Sequence, residues 1–487
     1  MSNSTPVPQE ASHRAPRVAI DLGAESCRVS LLRWCGQQPE IILLHRIPNG
    51  PYTDPSGDLR WPLRTILAGI ETGLRKAAEA APEGIASIAV DGWAVDYVRL
   101  DSEREILEEP FCYRDERSIA AKELADLSIP PEEFFALTGV QPHRINTVYQ
   151  LFADRDSSRA SHPWLLLPEY VLHWLGARPV AEFTNATHTG MLDLKTRDWA
   201  PGIFTRLGLD IRHAPELVEP GTVVGTLRGP LAKLPAFRET QLIAPACHDT
   251  ASAIAAIAEE HKNAAYIVCG TWSLVGATIA TPVVNTEALA GGFTNLGAPA
   301  HQYCFHTSIN GMWLLKQCLD HWTAQGRPTE SLTFSALSQA AASVTLPPDA
   351  ILPVDAPDLL LPGQMPARIA AILHSQTGMM LEDMPGNEPA FARLIFNSLA
   401  ARYASAIDTL ERITERRFPR VVILGGGSQN ALLVHLIGKA TGRAVIAGHP
   451  EGSTLGNFAL QLASAGHAPI QSCPAALAHA SWISSQT

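Results

Sequence analysis

Arg17-Val18-Ala19-Ile20-Asp21-Leu22-Gly23-Ala24-Glu25-Ser26-Cys27-Arg28-Val29-Ser30-Leu31-Leu32-Arg33-Trp34 governs how the rest of the chain is read. An apolar strand, Val18 to Ile20, enters a small polar turn, Asp21 to Ala24, and a second apolar strand leaves it, Arg28 to Trp34. Period and turn chemistry together make this a hairpin. The same plan returns far along the chain at Ala265 to Cys269, Gly270-Thr271 and Ser273 to Thr278. A strand-turn-strand unit used twice points to two related halves. Between the two units, strand-like runs (Ile85 to Val90, Gln241 to Ala246) alternate with helix-like ones (Leu63 to Ala81, Asp249 to Glu260). That alternation is the mark of layered α/β domains.

At 487 residues the chain exceeds what one compact core usually supports, so two domains with separate cores and a cleft between them are expected. No stretch approaches the roughly 18 uninterrupted apolar residues of a membrane span, so no membrane partner is expected. The net charge of −11 opposes a phosphate backbone, and no nucleic-acid partner is expected either. Residues 1–16 carry Ser, Pro, Gln and Glu without the apolar centre of a secretion signal, and read as a disordered lead-in. Eight cysteines are scattered without a C-x-x-C pair, which fits reduced thiols and a cytoplasmic protein.

Several segments read as packing. The run Trp164 to Leu167 meets Pro168, placed to start a short helix that reaches about Leu175 and closes at Gly176. After Thr333, Pro347-Pro348, Pro353, Pro357, Pro362-Gly363 and Pro366 mark turns in surface excursions. From Leu399 to Glu415, Ala400, Tyr403, Ile407, Leu410 and Ile413 recur every three or four residues, as one buried helical face does.

Four constellations carry possible chemistry. Asp21 ends a strand at a hairpin turn, where a carboxylate can hold Mg²⁺ through water while Gly23 lets backbone N–H groups approach phosphate oxygens; Asp-x-Gly is also an ordinary turn. Cys247-His248-Asp249-Thr250 lies between an apolar strand and an Ala-rich helix, where ligands of open α/β sheets collect, although Asp or Thr there also caps helices. Gly425-Gly426-Gly427-Ser428-Gln429-Asn430 follows the strand Val421 to Leu424 and precedes a helix, leaving room for a flat ligand such as adenine. Its rival is a dinucleotide fingerprint, with Glu451 as the ribose acid, but the spacing is G-x-G-x-x-N and too little chain follows. Ile88-Ala89-Val90-Asp91-Gly92-Trp93-Ala94-Val95-Asp96-Tyr97 offers acids for sugar hydroxyls and rings for C–H faces, against the alternative of a core tryptophan and a turn-supporting acid.

Taken in their order along the chain, these segments resemble the FGGY carbohydrate kinases and, within them, the rhamnulokinases, from Val18 to about Gly466. Tyr113-Arg114-Asp115, Asn146 to Leu151, Thr184-Asn185-Ala186-Thr187, Gly270-Thr271-Trp272-Ser273-Leu274 and Ser453-Thr454-Leu455-Gly456-Asn457 extend the likeness. The resemblance implies two actin-like (ribonuclease H-like) ATPase domains, 17–256 on the sugar and phosphate side and 257–487 on the nucleotide side, with ATP and sugar bound between them. It implies Asp249 as proton acceptor, and the turn carboxylate Asp21 is read as the Mg²⁺ anchor. Ala89, His248, Thr250 and Ser308 fall at sugar positions, and Ala24, Glu25, Ser26, Cys27, Arg28, Thr271, Lys316 and Gly426 at nucleotide positions. Glu25 stands where Ser is common, Cys27 and Ala89 where Gly is, Ser308 where Asn is, and Lys316 where Gln is.

The reaction this implies is transfer of the γ-phosphoryl of ATP to C1-OH of L-rhamnulose, with L-fuculose or L-xylulose as the alternative substrate. Two readings from other classes stay open at this point: a non-catalytic actin-like nucleotide switch, and an oxidoreductase built on Gly425 to Glu451.

Overall fold

The computed structural model describes residues 14–466, 473–477 and 480–484. Most of the expected lead-in, 1–13, lies outside the described residues. Both hairpins form. Arg17–Leu22 pairs antiparallel with Ser26–Cys35, and Ala265–Cys269 with Trp272–Ile279. Each lies inside its own sheet.

The first sheet has seven strands in the order Thr222–Thr226, Gln241–Ala244, Ser87–Gly92, Arg17–Leu22, Ser26–Cys35, Gln38–Pro48, Ser481–Ser484. The second has six: Phe293–Ala298, Gln302–Asn310, Trp272–Ile279, Ala265–Cys269, Arg420–Leu424, Ala444–Ala447. In both, the first hairpin strand has two further strands stacked parallel on one side and an antiparallel pair on the other. The repeated hairpin is thus the visible part of a repeated sheet. Arg17–Leu22 is buried at every position, as a strand covered on both faces must be.

Helix Leu63–Ala80 buries Leu63, Ile66, Leu67, Ile70, Leu74 and Ala77, one face at helical spacing. Leu167–Leu175 closes at Gly176, whose φ of 121° suits glycine. The stretch after Thr333 holds more than turns: Phe334–Ala342 and Met365–Thr377 are helices. Pro366 starts the second, because a proline in the first helical turn sacrifices no backbone bond. The face predicted from Leu399 belongs to a longer helix, Glu388–Thr414. Among the described residues, no helix is long and apolar enough to cross a membrane.

Separate cores were expected, and only in part do they exist. One apolar cluster lies wholly under the first sheet. Another joins Phe134, Tyr149 and Ile254 to Tyr266, Leu296 and Val422 of the second sheet, so the halves share apolar packing. Two helices cross between them. Asp249–Ala255 leaves the first sheet, shorter than the predicted run to Glu260, and sends Ala253 and Ile254 into that shared cluster. Gly452–Ser464 leaves the second sheet and lies on the first, with Phe458, Ala459 and Leu462 against Ala19, Leu32 and Ile41. Chain that the resemblance assigned to the second domain therefore packs on the first, and Ser481–Ser484 adds a parallel strand beside Gln38–Pro48.

The crossing helices touch backbone to backbone. A Cβ built on Gly456 would lie 1.7 Å from the carbonyl oxygen of Ser252, and one on Gly452 would lie 3.3 Å from Cβ of Ala253. Backbone cannot rotate away as a side chain can, so Gly456→Ala is expected to cost about 1–3 kcal/mol in denaturant unfolding, the usual scale of overpacking. Gly202→Ala, in a helix with open space around it, is the control and is expected to be neutral or slightly stabilising. Equal stabilities for the two variants would contradict the helix contact.

Candidate active site

Three parallel strand ends bring three carboxylates together. Asp21 and Asp91 are partners in register on adjacent parallel strands. Gly92, one residue on, bridges to His248, and Asp249 opens the next helix. Like charges this close disfavour one another's ionisation. Asp91 is fully buried, and its carboxyl is held well above the ordinary range, first by loss of water and then by the Asp21 charge. Asn457 Nδ2 donates to its Oδ2 at 2.6 Å, while Oδ1 has no partner. Asp249 keeps 35% of its side-chain surface open. Its carboxyl is pushed up to about 7 by the protein crowding water from it and by Asp21, against a hydrogen bond donated by Thr250 Oγ1 at 3.1 Å.

The loop before Asp249 is fixed by buried acids. Glu182 accepts from Cys247 N (2.7 Å), Thr184 N (2.8 Å) and Thr184 Oγ1 (2.6 Å). Glu169 accepts from Glu182 N (3.0 Å) and Asn185 Nδ2 (2.8 Å). Burial raises Glu169 to about 7 and Glu182 to about 8. His248 follows, with His188 Nε2 3.0 Å from its Nδ1, and its own Nε2 3.3 Å from Asp249 Oδ1. His188 carried no signal by itself in the sequence; it lies directly after the Thr184 to Thr187 motif that this network explains.

At the first hairpin turn, Asp21 accepts from Arg28 Nη1 (3.1 Å) and from Ser453 Oγ (2.7 Å), so the second crossing helix is tied to the turn at its start. Arg28 also lies 3.5 Å from Glu451, and Arg46 lies 4.0 Å from it while donating to Ser26 Oγ at 3.1 Å. Glu451 thus faces arginines of the first hairpin and its neighbouring strand. Ala24 is half-buried and Glu25 is exposed. Cys27 is fully buried, 3.8 Å from Gly23 O, and burial pushes its thiol up to about 12. The bulk that Cys27 brings thus lies in the core beneath the turn.

On the second sheet, the half-buried Thr271 lies in the hairpin turn. Backbone N–H groups of Met312 and Trp313 donate to Gly270 O (3.0 Å) and Thr271 O (3.1 Å), so helix Trp313–Ala324 starts against that turn. Lys316, in its first turns, is held by Asp320 at 2.9 Å. Ser308 is exposed on Gln302–Asn310, and Trp272 keeps 48% of its surface. Of the three glycines after Leu424, Gly427 has Cys269 Sγ 2.3 Å from where a Cβ would be, and Gly425 adopts a φ of 76° beside Cys269 O. Gly426 alone meets open space. Asn430 caps the following helix by accepting from Leu433 N at 3.0 Å.

Two readings need correction. Ala89 is fully buried in mid-strand, between Ser87, which donates to Gln461, and Asp91, bonded to Asn457, so the crossing helix covers the face on which a sugar contact was expected. The part of that segment at the strand's end is the turn Trp93-Ala94-Val95, where Val95 has a φ of 70°. Asp96 does not grip sugar. It is fully buried and accepts from Trp61 Nε1 (2.6 Å) and Trp93 Nε1 (2.9 Å), whose rings lie 4.5 Å apart.

The FGGY N-terminal domain of carbohydrate kinases matches residues 17–256 and the C-terminal domain matches residues 265–465. The chain belongs to the FGGY family of carbohydrate kinases. This FGGY chain is 32% identical to a rhamnulokinase of Oceanobacillus iheyensis over 91% of its length and 92% of that protein. It is also 32% identical to a rhamnulokinase of Enterococcus faecalis, over 96% of this chain and 92% of that one. Its fold is similar to a ligand-bound xylulose kinase from Lactobacillus acidophilus (TM-score 0.75, 16% identity, 96% and 92% covered). It is likewise similar to Plasmodium falciparum glycerol kinase with ADP (TM-score 0.74, 13% identity, 97% and 95% covered). The FGGY chain is thus a two-domain α/β sugar kinase.

None of the eight cysteines is in a disulfide, and Cys35 alone is exposed. A thiol titration of the native kinase should therefore find one fast group, lost in Cys35→Ser, and eight after unfolding. A second fast thiol that Cys27→Ala removes would place Cys27 at the surface of the turn.

Proposed function

We propose that this kinase transfers the γ-phosphoryl group of ATP to C1-OH of L-rhamnulose, with Asp249 as general base. The observation that carries the proposal is the partly open Asp249 carboxylate at a strand end, pushed up to about 7 beside Asp21. A base with that value accepts a proton effectively near neutral pH. The rhamnulokinase relatives support L-rhamnulose. Ser308, a short exposed side chain where the pattern has Asn, supports L-fuculose or L-xylulose as the second reading.

In the proposed reaction Asp249 takes the proton of the sugar hydroxyl as its oxygen bonds to the γ-phosphorus. The bond from that phosphorus to the bridging oxygen breaks, and ADP leaves. His248 and Thr250 hold the sugar from the first domain and Ser308 from the second. Backbone N–H groups of the turn Ala24 to Arg28, with Arg28 itself and Thr271, take the phosphates, since phosphoryl transfer depends chiefly on positioning and charge. Gly426, with its open face, takes the adenine side. Lys316, paired with Asp320 through one of its three donors, is taken to the nucleotide side as well.

Among the described residues, no three His, Cys, Asp or Glu are grouped to ligate a metal ion. Asp21 and the unpartnered Asp91 Oδ1 fit instead a hard cation that keeps most of its water, as Mg²⁺ does. Bound there, Mg²⁺ would neutralise phosphate charge. The sugar and phosphate side is assigned to 17–256 and the nucleotide side to 257–487, with the crossing helix Gly452–Ser464 returning to the first. The buried thiols, none in a disulfide, support a cytoplasmic setting.

Asp249→Asn is expected to lower kcat by about 10²–10⁴-fold, the usual worth of a general base, with ATP binding intact. In the parent, kcat/KM for the sugar should rise with pH through about 7, because only the carboxylate accepts the proton; that limb should vanish in the residual activity of Asp249→Asn. Near-parent turnover by the variant, read by coupled ADP release across the three ketoses, would sink the assignment.

A further inference from the structure

His188 and His248 lie with ring centroids 3.9 Å apart and planes tilted by 54°, and share a 3.0 Å contact between Nε2 of the first and Nδ1 of the second. Burial holds His188 well below the ordinary imidazole range and His248 at about 3, with His306 of the second sheet adding to both. Both rings are therefore neutral at physiological pH and carry one proton each. The shared contact can hold only one N–H. If His248 supplied it, the bare lone pair of its Nε2 would face Asp249 Oδ1 at 3.3 Å, and with Asp249 ionised, the state that acts as base, this is an unfavourable pairing of two acceptors. If His188 supplies it, His248 carries its proton on Nε2, toward the carboxylate. The electrostatics select the second arrangement.

The turn that carries His188 is built to hold it. Thr187 Oγ1 donates to Thr184 O (2.8 Å) and accepts from Gly297 N of the second sheet (2.9 Å). Thr189 Oγ1 donates to Ala186 O (2.6 Å), and Asn146 Nδ2 donates to the carbonyl of His188 itself (3.1 Å). Side chains on both flanks, and backbone from both domains, fix one imidazole at the far side of His248.

We propose that His188 is a positioning residue, whose Nε2–H, donated to His248 Nδ1, locks His248 in the tautomer that presents Nε2–H to Asp249 and to the oxygen of the bound sugar hydroxyl. This rests on Asp249 being the base. The sugar oxygen then accepts from His248 while its own proton is aimed at Asp249, so the attacking atom is held by two groups set at a fixed angle.

The test combines ring ¹⁵N shifts of the full-length kinase, with His248 assigned through His248→Gln, and steady-state kinetics. The parent should show His248 protonated at Nε2 only. His188→Leu should show a tautomer mixture and lose about 10- to 100-fold in kcat, with KM for ATP little changed, as misplacement of a reacting group does. His188→Gln, whose amide can donate from the same place, should restore the single tautomer and return kcat to within about 3-fold of the parent. A parent His248 protonated at Nδ1, or full activity in His188→Leu, would overturn the proposal. If His188→Leu fails to fold, the parent spectrum and His188→Gln still decide. Near-parent activity in Asp249→Asn would instead refute the base while leaving the tautomer result to judge His188 by itself.

Discussion

The contact of Gly456 with the carbonyl of Ser252 is the constraint on which the rest of the site depends. Two helices that pass between the sheets in opposite directions can approach this closely only if one offers no side chain. Their crossing places Ser453 on Asp21 and Asn457 on Asp91. It also sets the start of the other helix, Asp249, beside those strand ends. Packing at the crossing and placement of the carboxylates are one event, so a change at Gly456 is felt at the reacting atoms.

Around that crossing the protein buries acids that an ordinary core would exclude. Each is held by donors: Glu182 by three, Asp96 by two indoles, Asp91 by an amide. Buried carboxyls satisfied in this way define geometry more than they add stability. Glu169 and Glu182 hold the loop that ends in His248, and the same burial leaves Asp249 in the range where a carboxylate exchanges protons near neutrality. Stiff support behind and an open carboxylate in front is what a positioned base requires.

The sequence made much of this legible where local pattern and chemistry coincide. The hairpin at Asp21, its repeat at Gly270, and the Asp249 helix start are written in contiguous residues, and each lies at a strand end in the fold. What escaped is non-local. Ser453 and Asn457 reach partners more than 360 residues away in sequence, and no spacing rule reveals such a pairing. His188 is one histidine among threonines until folding sets it on His248. Trp93 and Asp96 misled for the same reason: their partner Trp61 comes from another segment. Ala89 misled because a strand interior and a strand end differ by only a few residues, while the crossing helix covers one and leaves the other open.

The most direct measurement is a crystal structure of the kinase with sugar, ADP and a planar γ-phosphoryl mimic. The account predicts an Asp249 carboxylate oxygen within about 2.6–3.2 Å of the attacking hydroxyl oxygen, the reach a general base needs, with Asp91 remaining beneath Asn457. A hydroxyl beyond hydrogen-bonding reach of Asp249, or bonded to Asp91 in its place, would contradict it.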